Sequence, residues 1–191
     1  MNILFTLCGR AGSKGVKGKN ARDFLDIPLA WYSVAGITLY IEKYGSSVKT
    51  EVDDILSHNR TDSPKVLCLL ASTQYLKAKN SSSSVMGGML RDLGCVNIAD
   101  SDSSLLENLS IEYILKENPN YIFITQRGDD MEGMKKFVGQ YFVDHPLWNE
   151  LDAVKEGRVY FMEKALYNLK PNHRWGEAYK KLQEILNNEK E

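Results

Sequence analysis

The sequence predicts a doubly wound α/β fold built on a mainly parallel sheet. From Lys65 onward, short apolar runs alternate with single helical segments. Strands that are joined through one helix pair in parallel, and right-handed crossovers place helices on both faces of the sheet. A chain of 191 residues with 43% hydrophobic residues can bury a core of this kind without disulfide or metal support.

Four apolar runs predict the strands, in the order 66–71, 95–99, 121–125 and 158–162. Helices are predicted after a serine-rich loop at 81–84, over 110–118, from about Glu132 to Val143, and from Arg174 onward. The last helix carries an apolar stripe with the 3.6-residue period, made by Trp175, Ala178, Tyr179, Leu182, Ile185 and Leu186.

Before Lys65 the sequence predicts one further strand, a loop and two helices. Residues 3–8 form a short apolar strand, and Pro28 opens an apolar helix that ends near Gly45. Within 46–58, an apolar stripe lies on an otherwise charged helix, at Val48, Val52, Ile55 and Leu56. We expect strand 3–8 to extend an edge of the sheet, because its apolar surface needs cover.

The composition argues against several classes of protein. The 24 basic and 25 acidic residues leave a formal charge of -1, which does not favour a nucleic-acid partner. No apolar run approaches the roughly 20 residues of a membrane span. The run "ILFTL" is shorter than the roughly 7–15 residue core of a secretory signal. The chain as written is therefore expected in the cytoplasm, and its cysteines are expected to be buried free thiols, at Cys8, Cys68 and Cys95.

The stretch "LCGRAGSKGVKGKN" (7–20) has the composition of an anion-binding loop. A glycine-rich backbone between a strand and a helix can turn its N–H groups toward an anion, and neighbouring cations complete the site. It is not a Walker A loop, because Ser13 stands where the first glycine belongs and Asn20 replaces the magnesium-binding hydroxyl residue. The G-x-G-x-x-G dinucleotide pattern is also absent.

With "ILFTL" before it and "FLDIPLAWYSVAGITLY" after it, this stretch resembles the N-terminus of the acylneuraminate cytidylyltransferases over residues 1–44. The resemblance implies that Arg10, Ser13, Lys19 and Asn20 hold the triphosphate of CTP, with magnesium as the metal. The acidic pair and the sugar-binding segment of that family are not found further along the chain. We therefore interpret the segment as vestigial, assign no catalytic residue, and leave open whether the chain is an enzyme.

From about Lys43 onward, the sequence resembles the C-terminal half of the siderophore and cobalamin substrate-binding proteins of ABC importers. Three segments carry this likeness, at 42–56, 85–125 and 145–186. Members of that family have two α/β lobes joined by one long helix, are extracytoplasmic, and deliver a small-molecule ligand to an importer permease. The resemblance implies that 46–58 is the end of the connecting helix and that 45–191 form the second lobe.

The two resemblances together predict a chimeric chain that changes ancestry near Tyr44. The first lobe of the substrate-binding family is not recognised in the sequence, and the cytidylyltransferase-like segment stands in its place. Enclosing roughly 70–90% of a drug-sized ligand takes two walls. We therefore expect the second lobe to bind its ligand weakly or not at all when it is alone.

The candidate ligand-binding residues follow strands or lie in the last loop. Ser72 and Thr73 follow strand 66–71, and Arg127 follows strand 121–125, so all three lie at the carboxyl edge where doubly wound folds place ligands. Tyr167 and Arg174 come from "LYNLKPNHRW". The ligand implied is a ferric siderophore, haem or a corrinoid, with no resident cofactor. For Arg127, a solvated role paired with an acid is the alternative, the acids being Asp129 and Asp130.

Glu112 matches the second-lobe glutamate that, in the resembled family, docks on an arginine of the permease. An acid in a first helical turn capped by Ser110 is the structural alternative, since it interacts favourably with the helix dipole. The histidines have no partners at metal-ligand spacing, so no metal site is predicted for His58, His145 or His173. Trp148, Leu151 and Trp175 are predicted to be core residues.

Three classes of function follow from these patterns. The first is a truncated ligand-binding lobe of an importer, weak or inactive alone. The second is a fused remnant or interaction protein with neither activity. The third is a CTP-binding fragment of a cytidylyltransferase. The sequence names no specific ligand and no oligomeric state.

Overall fold

In the computed structural model, the residues described are 45–58, 62–169 and 171–187, together with two short strands nearer the N-terminus. The chain divides into two compact units, Met1–Ser47 and Val48–Glu191. In the first unit, β1 (Asp23–Phe24) pairs antiparallel with β2 (Ile27–Pro28). Pro28 therefore ends a strand, where the sequence predicted the start of a helix. The predicted strand 3–8 and the remainder of that helix lie outside the described residues.

The second unit is built on a five-stranded sheet, which consists of β3 (Lys65–Ala71), β4 (Leu76–Ala78), β5 (Val96–Asn97), β6 (Tyr121–Gln126) and β7 (Val159–Met162). The strand order is β4-β3-β6-β7, and β5 pairs with the first residues of β3. The pairs β3–β5, β3–β6 and β6–β7 are parallel, and β4 alone runs antiparallel to its neighbour in this sheet. The predicted mainly parallel α/β sheet is confirmed.

Helices connect these strands, and they are α1 (Ser46–Ser57), α2 (Val85–Asp92), α3 (Ile111–Glu117), α4 (Met131–Asp144), α5 (Asp152–Lys155), α6 (Lys164–Tyr167) and α7 (Trp175–Asn187). Short 3-10 turns occupy Ile98–Asp100, Ser103–Leu106, Pro146–Glu150 and Asn172–Arg174. Side-chain oxygens cap three of the helices, from Ser84 for α2, Ser110 for α3 and Asp130 for α4. These caps satisfy backbone N–H groups that have no partner within the helix.

The predicted strand 95–99 is shorter in the structure, because Asn97 ends it. Its side-chain oxygen accepts a 3.1 Å hydrogen bond from the Ala99 backbone N–H and starts a 3-10 turn. Its amide nitrogen donates to the Lys79 carbonyl at 2.8 Å. The buried Asn97 therefore joins the end of β5 to the segment that follows β4.

Apolar side chains cover both faces of the sheet, as the alternation along β6 requires. Tyr121 and Phe123 belong to one core cluster, with residues of α1, α2 and α7. Ile122 and Ile124 belong to the other, with residues of α3, α4 and α5. Helices on both faces make this a three-layer α/β/α unit, which is the doubly wound arrangement. Among the predicted core residues, Trp148 and Leu151 are fully buried and Trp175 is half-buried against the first cluster.

The first cluster also buries two of the three cysteines. Cys68 and Cys95 are free thiols at 0% and 5% exposure, as predicted. Burial raises the pKa of the Cys68 thiol far above its ordinary value, since the thiolate would lose its hydration. Cys8 lies outside the described residues. The α1 stripe packs on the same cluster through Val52, Ile55 and Leu56, which confirms its predicted apolar face.

Candidate ligand-binding site

A pocket of about 330 Å³ opens at the carboxyl edge of the sheet, on the face that α2 and α6 cover. Leu70 of β3 and Thr125 of β6 form its floor, and these two residues are register partners in the parallel pair. The turn before α2 supplies one side of the pocket, and the end of α6 supplies another. This edge is where doubly wound folds place ligands, because loops and helix N-termini converge there.

Two cations lie in the wall of this pocket. Lys79 follows the antiparallel strand β4, and Arg127 directly follows β6. None of the described residues that line the pocket carries a carboxylate. Within the described ranges, neither the Lys79 ammonium nor the Arg127 guanidinium has a hydrogen-bond or ion-pair partner. The pocket is therefore electropositive, and both charges are available to a bound molecule.

The two acids expected as alternative partners of Arg127 are engaged elsewhere. The Asp129 carboxylate lies 2.7 Å from the Lys164 ammonium. The Asp130 carboxylate accepts a 2.8 Å hydrogen bond from the Gly133 N–H and caps α4. The backbone of Arg127 is fixed by a 2.7 Å bond from its N–H to the Ala71 carbonyl. The predicted pairing of Arg127 with a neighbouring acid is therefore not what the structure shows.

Most polar groups of the pocket are already used within the fold. The Thr125 hydroxyl donates to the Leu69 carbonyl at 3.1 Å, and the Asn168 amide donates to the Gln126 carbonyl at 2.7 Å. Ser84 donates to the Asn80 carbonyl and accepts from the Gly87 N–H, both at 3.0 Å. The exposed hydroxyl of Ser83 has no hydrogen-bond partner among the described residues. Lys79, Ser83 and Arg127 are therefore the side chains best placed to contact a ligand.

Tyr167 lines the pocket with its ring, but its hydroxyl is not available there. The residue is 2% exposed, and the hydroxyl donates a 3.0 Å hydrogen bond to the Ala178 carbonyl in α7. Burial, followed by the nearby charge of Glu163, raises the pKa of Tyr167 well above its ordinary value. The phenol therefore stays protonated, and Tyr167 offers the pocket an apolar surface.

Ser72 and Thr73 lie at the same edge of the sheet but outside the pocket. The Ser72 hydroxyl accepts hydrogen bonds from the Gln74 and Tyr75 N–H groups at 3.1 and 3.2 Å. Its N–H donates to the Tyr75 carbonyl at 2.9 Å. Ser72 therefore closes the tight turn between β3 and β4, and the exposed Thr73 forms the tip of that turn.

Arg174 is held in a network of four charged residues outside the pocket. Its guanidinium contacts Glu177 at 2.7 Å and Glu163 at 3.3 Å. Lys181 reaches the same two carboxylates at 2.9 and 3.6 Å. The network links the segment after β7 to the first two turns of α7, so the structure gives Arg174 a local structural role.

Lys79 and Ser83 were not predicted from the sequence as site residues. Lys79 reaches the pocket because β4 returns antiparallel beside β3, and this short strand was not predicted. The available signal was the alternation in 76–79, where Leu76 and Ala78 are buried and Lys77 is exposed. Ser83 belongs to the turn that leads into α2. The sequence predicted this turn only as a serine-rich loop.

Glu112 is exposed in the first turn of α3. Because α3 precedes the parallel strand β6, its N-terminus points toward the carboxyl edge of the sheet. The Ser110 hydroxyl donates to the Glu112 carboxylate at 3.1 Å and accepts from the Tyr113 N–H at 3.4 Å. The structural role expected of Glu112 is therefore present, and its carboxylate remains accessible from solvent.

The described residues contain no group of three or more His, Cys, Asp or Glu side chains suited to a metal ion. They also contain no helix with both the length and the apolar character needed to cross a bilayer. The nucleotide-binding residues predicted from the first resemblance all lie outside the described residues, namely Arg10, Ser13, Lys19 and Asn20.

The model of one protein family, described as periplasmic binding protein, matches residues 41–166. No curated protein is similar enough in sequence to match the chain. Three solved structures illustrate the likeness in fold. The first is an ABC transporter substrate-binding protein from Listeria monocytogenes EGD-e, with 23% identity and a TM-score of 0.64 over 77% of this chain and 57% of that one.

The second is the periplasmic heme-binding protein RhuT from Roseiflexus sp. RS-1, with 20% identity and a TM-score of 0.62 over 77% of this chain and 55% of that one. The third is the triscatecholate siderophore binding protein FeuA from Bacillus subtilis, complexed with ferri-bacillibactin, with 18% identity and a TM-score of 0.57 over 76% of this chain and 54% of that one. The chain therefore spans a little over half the length of each of these proteins.

Proposed function

The chain belongs to the periplasmic binding protein family, and from that premise we propose that its second unit forms one wall of a binding site for an anionic iron chelate. The ligand is a ferric siderophore or haem, which an ABC importer receives. Membership agrees with the resemblance found along residues 43–191. The change of ancestry near Tyr44 remains a prediction.

The observation that carries this proposal is a pair of cations in one pocket, to which the described part of the chain supplies neither an ion-pair partner nor a carboxylate. Lys79 and Arg127 reach the same pocket from different strands, and among the described residues neither is neutralised by an acid. A cation left without a partner in a concave site interacts strongly with an anion, because the surrounding protein lowers the local dielectric. An anionic ligand would compensate both charges at once.

The shape and polarity of the pocket suit a ligand held against one surface. Leu70, Val85 and the Tyr167 ring supply apolar contact beside the two cations. Small-molecule sites combine such apolar surface with a few placed polar groups. Ferric tris-catecholates carry net negative charge and haem carries two propionates, whereas the side-chain amides of a corrinoid are neutral. The charge of the pocket therefore favours the siderophore and haem over the corrinoid.

The similar proteins support this assignment by what they bind. RhuT is a heme-binding protein, and FeuA was solved with ferri-bacillibactin. The Listeria monocytogenes structure is an ABC transporter substrate-binding protein. We extend the partnership to this chain by assigning Glu112 to the permease contact, because it is exposed and lies toward the edge that carries the pocket.

The proposal is tested by titrating the full 191-residue chain with ferri-bacillibactin and, separately, with haem, using tryptophan fluorescence. We expect saturable quenching with a dissociation constant below roughly 100 μM for at least one of them, which corresponds to about -5.5 kcal/mol. Arg127→Gln and Lys79→Gln should each weaken binding about 3- to 10-fold. This loss lies between the free energies that an exposed ion pair and a charge-assisted hydrogen bond contribute.

Lys77→Gln is the matched control. Lys77 lies within β4, two residues before Lys79, and it is exposed. Its ammonium lies 5.5 Å from the centre of the Tyr75 ring. It does not line the pocket, so its removal should leave the affinity unchanged. Absence of quenching by both ligands, or equal losses in all three variants, would count against the proposed site.

A further inference from the structure

The loop that carries Arg127 contains two acids within three residues of it. Residues 127–130 are exposed, and Gly128 turns the chain with a φ of +87°, which favours glycine. Asp130 is held by its capping bond to Gly133 at 2.8 Å. Asp129 takes no part in a cap, and its side chain is 96% exposed. A free carboxylate at this position would be the nearest competitor for the Arg127 guanidinium.

Lys164 holds that competitor in place. Its ammonium lies 2.7 Å from the Asp129 carboxylate and 2.9 Å from the Gly128 carbonyl. Lys164 is the first residue of α6, so both contacts run from the helix after the neighbouring strand β7 to the loop after β6. Its side chain is only 31% exposed, which limits the other positions it can adopt. The hydrogen bond and charge of Lys164 also lower the pKa of Asp129 below its ordinary value.

A second contact fixes the same loop from α6. The Asn168 amide donates to the Gln126 carbonyl at 2.7 Å, immediately before Arg127. The loop therefore keeps one backbone anchor without Lys164. Lys164 adds a second backbone contact, at the Gly128 carbonyl, and it is the cation that pairs with Asp129 among the described residues.

We propose that Lys164 is a positioning residue that keeps the Arg127 guanidinium free for an anionic ligand by holding the Asp129 carboxylate away from it. This rests on the proposed function of the pocket. Without Lys164, Asp129 lies two residues from Arg127 and has no other cationic partner among the described residues. It then competes with the ligand for the guanidinium. Lys164 does not contact the ligand in this account, since it does not line the pocket.

The test compares four variants of the full chain with the wild type in the ferri-bacillibactin titration. Lys164→Met should weaken binding about two- to five-fold, the range of an exposed ion pair. Lys164→Arg should bind like the wild type, because it retains the charge. Adding Asp129→Asn to Lys164→Met should restore the affinity, whereas adding Glu163→Gln should not.

The Glu163→Gln control separates competition from a general change of charge. Glu163 is adjacent to Lys164 and pairs with Arg174 and Lys181, not with the Arg127 loop. Both double variants restore the same net charge. If they restore the affinity equally, or if Lys164→Met binds like the wild type, the proposed role of Lys164 is wrong.

A second measurement does not depend on any ligand. Phenylglyoxal modifies free guanidinium groups, and mass spectrometry gives the rate at Arg127. We expect slower modification in Lys164→Met than in the wild type, and recovery of the rate when Asp129→Asn is added. If the wild type fails to bind either iron ligand, the proposed function fails while this measurement still decides the role of Lys164. An unchanged rate in Lys164→Met would overturn it.

Discussion

The hydroxyl of Tyr167 donates a 3.0 Å hydrogen bond to the backbone carbonyl of Ala178, and both residues are buried. The bond joins α6, which borders the pocket, to α7, which covers the sheet on the same face. The hydroxyl of Tyr167 therefore stabilises the packing of α6 on α7, whereas the ring is the part of the residue that faces the pocket.

Tyr167→Phe should remove this bond and little else. The loss of this buried hydrogen bond should lower the free energy of unfolding by about 0.5–1.5 kcal/mol. Affinity for ferri-bacillibactin should not change, since the ring is kept. Urea unfolding and the fluorescence titration measure the two effects. A loss of affinity without a loss of stability would assign the hydroxyl to the ligand instead.

Gly87→Ala should destabilise the turn that borders the pocket. A Cβ at Gly87 would lie 2.5 Å from the Ser84 hydroxyl and 2.9 Å from both the Asn80 carbonyl oxygen and the Ser81 Cα. Two of these three atoms belong to the backbone and cannot rotate away. We expect a loss of about 1–3 kcal/mol in the free energy of unfolding, as for other overpacked sites.

Gly88→Ala is the matched control, one residue further along α2. Its nearest neighbour would be the Ser81 carbonyl oxygen at 3.6 Å, an ordinary van der Waals contact. Because alanine favours a helix over glycine by up to about 1 kcal/mol, this variant should be as stable as the wild type or slightly more so. Equal stabilities of the two variants would contradict the close packing assigned to Gly87.

The ion network at Arg174 should make stability depend on acid pH. Hydrogen bonds from Arg174 and then Lys181 lower the pKa of Glu177 to about 2, from an ordinary value of 4.5. As the pH falls, Glu177 is therefore protonated at a higher pH in the unfolded chain than in the folded protein. The contribution of Glu177 is fully present above about pH 4.5 and is lost as the pH falls toward about 2.

Urea midpoints measured between pH 5 and pH 2 should fall more steeply in the wild type than in Glu177→Gln. The groups are solvent-exposed, so the difference should be small and should shrink at about 1 M salt. Ligand affinity at neutral pH should be the same in both proteins, because the network lies outside the pocket. Superimposable pH profiles would show that the network does not stabilise the fold.

Glu112→Lys should impair delivery to an importer without changing ligand affinity. The assay is uptake of radioactive iron by cells that contain the matching permease, with affinity measured on the purified chain. Glu132→Lys is the control, because Glu132 is likewise an exposed acid in a first helical turn, that of α4. Equal uptake in the two variants would leave Glu112 with only its helix-terminal role.

The sequence predicts the two central parallel strands well because each is a continuous buried run. β3 and β6 are buried along nearly their whole lengths, and such runs stand out without any periodicity. β4 was not predicted, since three residues carry too little alternation to separate a strand from a loop. The end of β5 depends on the side-chain bonds of Asn97, which no local pattern reveals.

The candidate site was predicted only in part, because some of its residues are positioned by contacts that local sequence patterns do not reveal. Arg127 was found because a residue directly after a parallel strand lies at the ligand edge of the sheet. Lys79 was missed along with β4, because its position depends on an antiparallel return. Arg174 and Tyr167 have suitable chemistry, but the fold engages them in contacts with Glu163 and Ala178, which are distant in sequence.

The most direct test of the account is a crystal structure of the full chain with ferri-bacillibactin bound. We predict the chelate in the pocket beside Leu70 and Thr125, with its anionic oxygens within about 2.7–3.2 Å of the Lys79 ammonium and the Arg127 guanidinium. A chelate bound elsewhere on the chain, in contact with neither of these two side chains, would contradict the account.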